Sequence, residues 1–237
     1  MKRKGILVFF VAATLGIAAA VLVSASGFGG FGVFSRVKSL VGSATNGSGN
    51  IITQERKTGD FTGVSVSGSI NVQILKGDSI SVKVQGDDNL LPNLKTEVRG
   101  GNLKIWYDGK YNSEHGITVN ISAPLIESLE TSGISKVSFD GAQAKNIKAS
   151  LSGVSKIRLS GTADSVDLQM SGASSVDAIG LKVGKLRVEG SGASRASAEV
   201  TETLDADLSG ASSVSYKGTP SKITKDLSGG SQVESIN

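Results

Sequence analysis

Residues 171–176 read SGASSV, and the same six letters return at residues 209–214. Four related segments share the rhythm: SGISKV begins at Ser132, SGVSKI at Ser152, SGASRA at Ser191 and SGGSQV at Ser228. The six starting positions follow one another at intervals of 20, 19, 20, 18 and 19 residues. A steady period of this size is typical of an internal structural repeat, so this part of the chain is predicted to be an array of similar units.

Apolar residues within each repeat recur at every second position, the period of a β-strand that turns one face inward. After the first SGxS segment they are Val137 and Phe139, and after a polar turn they resume at Ile147, Ala149 and Leu151. Most equivalent positions of the later repeats are also apolar. Strands that recur every 18 to 20 residues predict an all-β fold, a parallel β-helix in which each turn of the chain adds one rung to a stack.

The repeated glycine is predicted to occupy one corner of every rung, where a positive φ or a close backbone approach excludes a side chain. These structural corner residues are Gly133, Gly153, Gly172, Gly192, Gly210 and Gly229. The flanking serines are small enough to stack on their copies, and their hydroxyls can bond corner backbone groups. Six equivalent serines without a nearby histidine do not indicate a nucleophile, so no catalytic residue is assigned.

Two sets of charged residues are predicted to stack on the outside of the repeats. Lys148, Asp167, Arg187 and Asp205 form one column in which the sign alternates, which favours correct register. A ligand-binding role for this column is the weaker alternative. Glu189, Asp207 and Asp226 form an acidic column, interpreted either as a solvated face or as a weak cation site.

The N-terminus has the composition of an export segment. A basic MKRK head precedes an uncharged apolar run at residues 6–23, so residues 1–25 are predicted to be either a signal peptide or an uncleaved membrane anchor. In either case the remainder is expected to be exported, periplasmic or on the cell surface. Residues 26–50 are rich in Gly, Ser and Phe and are interpreted as a linker, or alternatively as a surface-seeking segment.

Composition excludes several classes of protein. The chain has no cysteine, which excludes disulfides, thiolate metal sites and lipid-modified cysteines. Without the three basic residues of the N-terminal head, 22 basic residues face 21 acidic ones. This balance argues against a nucleic-acid partner. No cofactor or metal is predicted.

Residues 51–131 lack the repeat but keep the strand period, as in VSVSGSINVQI and ITVNISAP. They are interpreted either as irregular early rungs or as an antiparallel meander that covers the end of the stack. Residues 51–237 are expected to form one domain, with the regular rungs at 132–237.

Three residues of the irregular part are candidates for ligand contact: Trp106, Tyr111 and the only histidine, His115. Aromatic side chains in and beside a loop can stack on a sugar or a peptide. The alternative is that Trp106 packs against the linker or a neighbouring strand. Residues 86–89, GDDN, are interpreted as an acidic turn, with calcium binding as the alternative.

Three segments together resemble a known bacterial family, namely FTGVSVSGSINVQILKGD, VQGDDNLLPNLKTEVRGGNLKI and ISAPLIESLETSGISKV. This order of strand and glycine signatures is similar to the auto-transporter adhesin head domain, or GIN domain, from about Phe61 to the C-terminus. The resemblance implies an exported, right-handed β-helix with the shape of a pectin lyase and a role in adhesion. A Gly-Ser-Ile-Asn sequence occurs once, at residues 68–71, and the corners are SGxS instead.

The expected function is that of a non-catalytic adhesion or binding module of the cell envelope, and not of an enzyme. Its expected partner is an envelope protein or a glycan, with possible membrane contact through residues 6–23. A polysaccharide lyase or hydrolase is the first alternative, and a structural or signalling partner in the envelope is the second. A hydrolase would require paired carboxylates, whereas the acids here alternate with bases or stand alone.

Overall fold

A computed structural model describes residues 43–236, of which about two thirds are in β-strands. The irregular part contains β1 (Thr45–Asn46), β2 (Ile51–Arg56), β3 (Gly63–Gly68), β4 (Ile70–Lys76), β5 (Ser81–Asp87), β6 (Leu94–Arg99), β7 (Asn102–Tyr107), β8 (Tyr111–Asn112) and β9 (Ile117–Ala123). The repeat part contains β10 (Ser128–Gly133), β11 (Lys136–Leu151), β12 (Lys156–Met170), β13 (Ser175–Gly190), β14 (Arg195–Leu208), β15 (Ser213–Lys217), β16 (Lys222–Leu227) and β17 (Gln232–Ser235). One short 3-10 turn, Leu91–Asn93, separates β5 from β6.

The repeat strands pair in parallel, each with the next copy along the chain, as the sequence period predicts. Between β11 and β12, Val137 lies opposite Ile157 and Ile147 lies opposite Val166, so the offset changes from 20 to 19 residues. The change occurs at a register shift after Phe139, and the two following pairs of strands have shifts near the same place. The segment between the two apolar runs of each repeat therefore accommodates the differences in repeat length. The apolar positions of successive repeats stay opposite one another on both sides of it.

The core lies between these apolar runs. The columns that begin at Val137, Phe139, Ile147, Ala149 and Leu151 are buried through β14, as the period of two predicts. At the C-terminal end Ile223 and Leu227 are 38% and 40% exposed. Both belong to β16, which pairs with β14 on one side only and has no strand on its other side among the described residues. The alternating apolar pattern of the sequence therefore continues into β16, although the equivalent side chains are fully buried only as far as β14.

The SGxS segments form tight corners. All six corner glycines have φ between 70° and 82°. A Cβ placed on Gly153 would lie 2.7 Å from the carbonyl oxygen of Gly133, because successive corners stack directly on one another. The last serine of each segment is buried in the first five corners, and its hydroxyl typically donates to the carbonyl oxygen three residues earlier, as in Ser155 to Ser152 at 2.7 Å. Only glycine combines this φ with this contact.

The strands of residues 51–131 include both parallel and antiparallel pairs. β3 pairs in parallel with β10 and β7, and β4 pairs in parallel with β11 and β9, so these strands continue the stack. β2, β5 and β6 pair antiparallel with their neighbours. Antiparallel pairing thus ends the parallel array on this side, and an antiparallel strand covers an edge of the sheet.

The folded part begins before the predicted boundary at residue 50. β1 pairs in parallel with β8, and the residues after it contact the turn at 86–89. The Asp88 carboxylate accepts hydrogen bonds from the Ser48 hydroxyl at 2.5 Å and from the Asn50 amide at 2.9 Å. Residues 45–50, which the sequence assigns to the linker, are therefore held to the sheet by polar contacts.

The predicted export segment at 1–25 and the linker up to residue 42 lie outside the described residues. Within residues 43–236, no helix has the length and apolar character that crossing a membrane requires.

Candidate functional site

One outward face of the stack runs across β7, β3 and β10 and then across the C-terminal halves of β11 to β14. We call it the polar face, and three columns of side chains in register make it up. The charged column is Asn102, Gly63, Ser128, Lys148, Asp167, Arg187 and Asp205. The middle column is Lys104, Ser65, Glu130, Ser150, Gln169, Glu189 and Asp207. The serine column starts at Trp106, Ser67 and Ser132 and continues through the first serine of each later corner, Ser152, Ser171, Ser191 and Ser209.

A groove of about 550 Å³ follows the middle and serine columns from Glu130 to Asp207. Its walls are hydroxyl, amide and carboxylate groups, with buried Leu151 and Met170 beneath them. Because each strand adds one equivalent side chain, similar groups recur at the ladder spacing of about 4.8 Å. The groove therefore presents a linear series of hydrogen-bonding groups along the direction in which the strands stack.

The charged column has the predicted alternation, but its ion pairs are distributed differently. Lys148 lies opposite Asp167, Asp167 opposite Arg187, and Arg187 opposite Asp205. Arg187 lies 2.7 Å from Glu189 of the middle column and 3.3 Å from Asp205. The hydrogen bond and charge of Glu189 raise the pKa of Arg187, and Asp205 adds to the effect. Arg187 therefore neutralises one carboxylate of the groove.

Asp167, which lies between Lys148 and Arg187 in the charged column, has a carboxylate oxygen without a hydrogen-bond partner among the described residues. It is half-buried, and its Oδ1 is enclosed without a hydrogen-bond donor among the described residues. No ion pair joins it to Lys148 or Arg187 within that same part of the chain. An enclosed carboxylate oxygen without a donor is costly, so the carboxylate of Asp167 is incompletely satisfied.

The acidic column is present in the predicted order. Glu189 lies opposite Asp207, and Asp207 lies opposite Asp226. Across residues 43–236, no group of three or more His, Cys, Asp or Glu side chains has an arrangement that could hold a metal ion. Two of these carboxylates line the groove, so they can accept hydrogen bonds from a ligand that carries hydroxyl or amide groups.

Trp106 lies at the N-terminal end of the polar face. It is half-buried and lines a depression of about 290 Å³ with Ser65, Ser67 and Lys104, beside the Glu97–Arg99 ion pair at 2.9 Å. Its neighbour Ile105 is buried, so the alternation predicted for this strand holds. Register places the indole in the serine column next to Ser67. Its place is thus at one end of the row of polar groups that continues into the groove.

The other two candidates do not join Trp106. Tyr111 packs on Tyr107 with ring centroids 4.6 Å apart, and its hydroxyl donates to the carbonyl oxygen of Ser69. Burial raises the pKa of Tyr111. His115 is exposed and lines a different depression, with Asp87 and Ser113. The three predicted contact residues therefore do not form one site.

The turn at 86–89 has structural partners for its carboxylates. Asp87 is buried and accepts hydrogen bonds from the Ser113 hydroxyl at 2.5 Å and from the Gly49 backbone N–H at 2.7 Å. These two bonds hold the pKa of Asp87 below its ordinary value. The bonds from Ser48 and Asn50 likewise lower the pKa of Asp88. Because protein donors occupy both carboxylates, the geometry favours the acidic turn over the calcium site.

Sequence reasoning missed the continuity between Trp106 and the groove. Trp106 and Ser67 are neighbours across β7 and β3, although they are 39 positions apart in the chain, about twice the repeat period. The antiparallel strands β5 and β6 lie between them in sequence. The alternation around Ile105 predicted that Trp106 points outward. The repeat interval of the SGxS segments, however, does not predict that β3 pairs with β7.

The described residues thus define an all-β protein built on long, parallel-paired repeat strands that present one continuous polar face. The family described as "Putative auto-transporter adhesin, head GIN domain" matches residues 60–220. The chain belongs to this family, as its strand and glycine signatures indicate.

Several solved structures have a similar fold. A "putative adhesin" from Bacteroides fragilis NCTC 9343 is 18% identical with a TM-score of 0.69, and the match covers 81% of this chain and 100% of that one. A "putative adhesin" from Parabacteroides distasonis ATCC 8503 is 19% identical with a TM-score of 0.52, covering 82% of this chain and 100% of that one. At these identities the likeness shows a shared fold. No match was found among the curated proteins.

Proposed function

We propose that the protein is a non-catalytic binding module of the cell envelope, which adheres to a glycan laid along its polar face. The observation that carries the proposal is the groove between Glu130 and Asp207, where polar groups of similar type recur on five successive strands. Membership of an adhesin family supports a binding role. Export to the periplasm or the cell surface is part of the same proposal.

The proposal includes winding of the repeats as a β-helix. β11 has 16 residues, so fully extended it would span about 50 Å, yet Lys136 pairs with Lys156 at the start of the next strand. The chain must therefore bend round and return to one ladder spacing from its start within 20 residues. Phe139 and Ile147, from the two halves of β11, belong to the same core. Winding around a shared core explains both the pairing and the burial.

A polysaccharide suits this groove better than a compact ligand. The groove crosses five successive strands, and its polar side chains repeat at a fixed spacing, so a polymer with a repeating unit can form similar contacts on each strand. Hydroxyls of serines, the amide of Gln169 and the carboxylates of Glu189 and Asp207 are donors and acceptors for sugar hydroxyls. The Trp106 ring adds a surface on which a sugar can stack.

The test is binding of the full chain to a panel of envelope polysaccharides, with one blocking variant and one matched control. Gln169 is exposed in the middle of the groove, so Gln169→Arg fills it. Thr162 is an exposed residue of the same strand, outside the groove, so Thr162→Arg adds the same side chain elsewhere. We expect Gln169→Arg to weaken binding at least about tenfold, equivalent to roughly 1.4 kcal/mol. Thr162→Arg is expected to leave binding unchanged.

Two outcomes contradict the proposal. Equal binding by both variants would place the ligand elsewhere on the molecule. Cleavage of a bound polymer by the wild-type chain, lost in Asp207→Asn, would establish the lyase or hydrolase alternative.

A further inference from the structure

Two exposed aliphatic side chains stand at successive corners of the stack. Ile134 is 64% exposed and Val154 is 60% exposed, and the Val154 N–H donates to the carbonyl oxygen of Gly133, which places the corners side by side. The equivalent residues of the next four corners are Ala173, Ala193, Ala211 and Gly230. A small residue therefore occupies this position in the other four corners, so the fold does not require the larger side chains of Ile134 and Val154.

Two lysines follow the same two corners. Lys136 and Lys156 are exposed and directly opposite each other in the register of β11 and β12. Within the described chain, neither lies within ion-pair distance of a carboxylate, whereas Arg158 beside them pairs with Asp177 at 3.0 Å. Like charges directly opposite on paired strands are destabilising. The charged column alternates its signs, but this pair does not.

The lysines border a shallow depression of about 430 Å³ with Asn71, Gln73 and Thr118. Amide and hydroxyl groups can donate hydrogen bonds to anionic oxygens. Lys136 and Lys156 provide positive charge at the same place, whereas the charge of Arg158 is offset by Asp177. The depression is therefore suited to a phosphate-bearing ligand.

We propose that Ile134, Val154, Lys136 and Lys156 form a docking surface for an anionic phospholipid membrane. The lysines meet the phosphate headgroups, and the two aliphatic side chains enter the boundary between headgroups and acyl chains. A soluble polyanion would neutralise the lysines but would leave the two exposed aliphatic residues without a role. The coincidence of both features at the same two corners favours a lipid surface. This inference concerns a different face from the groove and does not depend on the proposed glycan.

The absence of cysteine from the sequence permits a site-specific test. An environment-sensitive fluorophore is attached to full-length Ala173→Cys, at the corner next to Val154, and separately to Thr162→Cys as a control. We expect vesicles of phosphatidylglycerol and phosphatidylcholine to shift the emission at position 173 to the blue. No such shift is expected at position 162, or at position 173 with phosphatidylcholine alone.

Variants of the labelled chain then test the charge and the aliphatic groups. Each lysine near an anionic surface contributes about fivefold in partitioning, so Lys136→Gln with Lys156→Gln is expected to raise the half-maximal lipid concentration about 25-fold. Lys182→Gln with Lys185→Gln removes the same charge from two exposed lysines of β13 and is the matched control. Ile134→Ser is expected to weaken vesicle binding about tenfold. All variants keep the same N-terminal residues, so their differences report on the surface itself.

Three results would overturn the proposal. One is an equal shift with phosphatidylcholine alone, and another is an unchanged lipid dependence in the Lys136/Lys156 variant. The third is a shift caused by inorganic polyphosphate without vesicles and insensitive to Ile134→Ser, which would assign the lysines to a soluble polyanion.

Discussion

Gly172 lies against the carbonyl oxygen of Gly153, and a Cβ on Gly172 would approach that oxygen to 2.6 Å. The same relationship joins each later corner of the stack to the one before it. Each corner therefore supports its neighbour through bare backbone, which explains why the glycine recurs in every repeat although the residue after it varies.

The corner contact predicts that Gly172→Val is strongly destabilising. Valine at φ +77° is strained by about 1–3 kcal/mol, and the contact with the Gly153 carbonyl adds to that cost. Ser175→Ala, at a half-buried position three residues later, is the control and is expected to change stability by less than about 0.5 kcal/mol. Thermal unfolding of both variants measures the difference, and equal melting temperatures would contradict the corner geometry.

The buried corner serine predicts a smaller effect. Ser155 is 2% exposed and its hydroxyl donates to the Ser152 carbonyl oxygen, so Ser155→Ala is expected to cost about 1 kcal/mol. Ser152→Ala is the matched control, because it changes an exposed side chain and retains the carbonyl that accepts the bond. Chemical denaturation measures the free energy of unfolding of both variants and of the wild type. A control as unstable as Ser155→Ala would show that the hydrogen bond is not responsible.

The charged column predicts a salt-dependent effect of charge reversal. Asp167→Lys places three positive charges in register with Lys148 and Arg187, and each repulsion should cost a few tenths of a kcal/mol and diminish as salt increases. Adding Lys148→Glu places opposite charges at positions 148 and 167 again, so it is expected to recover part of the lost stability. Unfolding at low and high salt is the measurement. Because one Asp167 oxygen is enclosed, a large loss that salt does not alter would mean that burial, and not charge, dominates there.

The turn at 86–89 predicts acid sensitivity of the contact with residues 45–50. The folded-state pKa of Asp87 is lowered, so its stabilising contribution is present above the ordinary value of 3.8 and is lost as pH falls through the lower folded value. Asp87→Asn is therefore expected to be less stable than wild type at neutral pH, and the difference should shrink below pH 3.8. Hydrogen exchange of the Gly49 amide, which donates to Asp87, follows the contact directly. A difference that stays constant in acid would contradict this role.

The repeat part was predictable because one local pattern specifies it. Alternation within SGxS-delimited segments identified the buried columns, and the intervals identified which residues stack, as for Lys148, Asp167, Arg187 and Asp205. Ile223 and Leu227 fit the same pattern but are partly exposed, since alternation does not indicate where the stack ends.

The irregular part was less predictable because its contacts join residues of unrelated local pattern. Tyr111 was predicted to be available to a ligand, but it packs on Tyr107 across a loop. Residues 45–50 have the composition of a linker and are held by polar bonds to Asp87 and Asp88, which apolar periodicity cannot reveal. The continuation of the polar face from the groove to Trp106 depends on the register of β10, β3 and β7, which the sequence intervals do not contain.

The most direct test of the proposed function is the dependence of affinity on ligand length. The only tryptophan of the chain, Trp106, lies at one end of the polar face, so its fluorescence reports occupancy there. For a series of oligosaccharides from a polymer that the protein binds, affinity is expected to increase with length until the groove is filled. The Trp106 signal is expected to change only with the longer members of the series. An affinity that reaches its maximum with a mono- or disaccharide would contradict a ligand extended along the stacked strands.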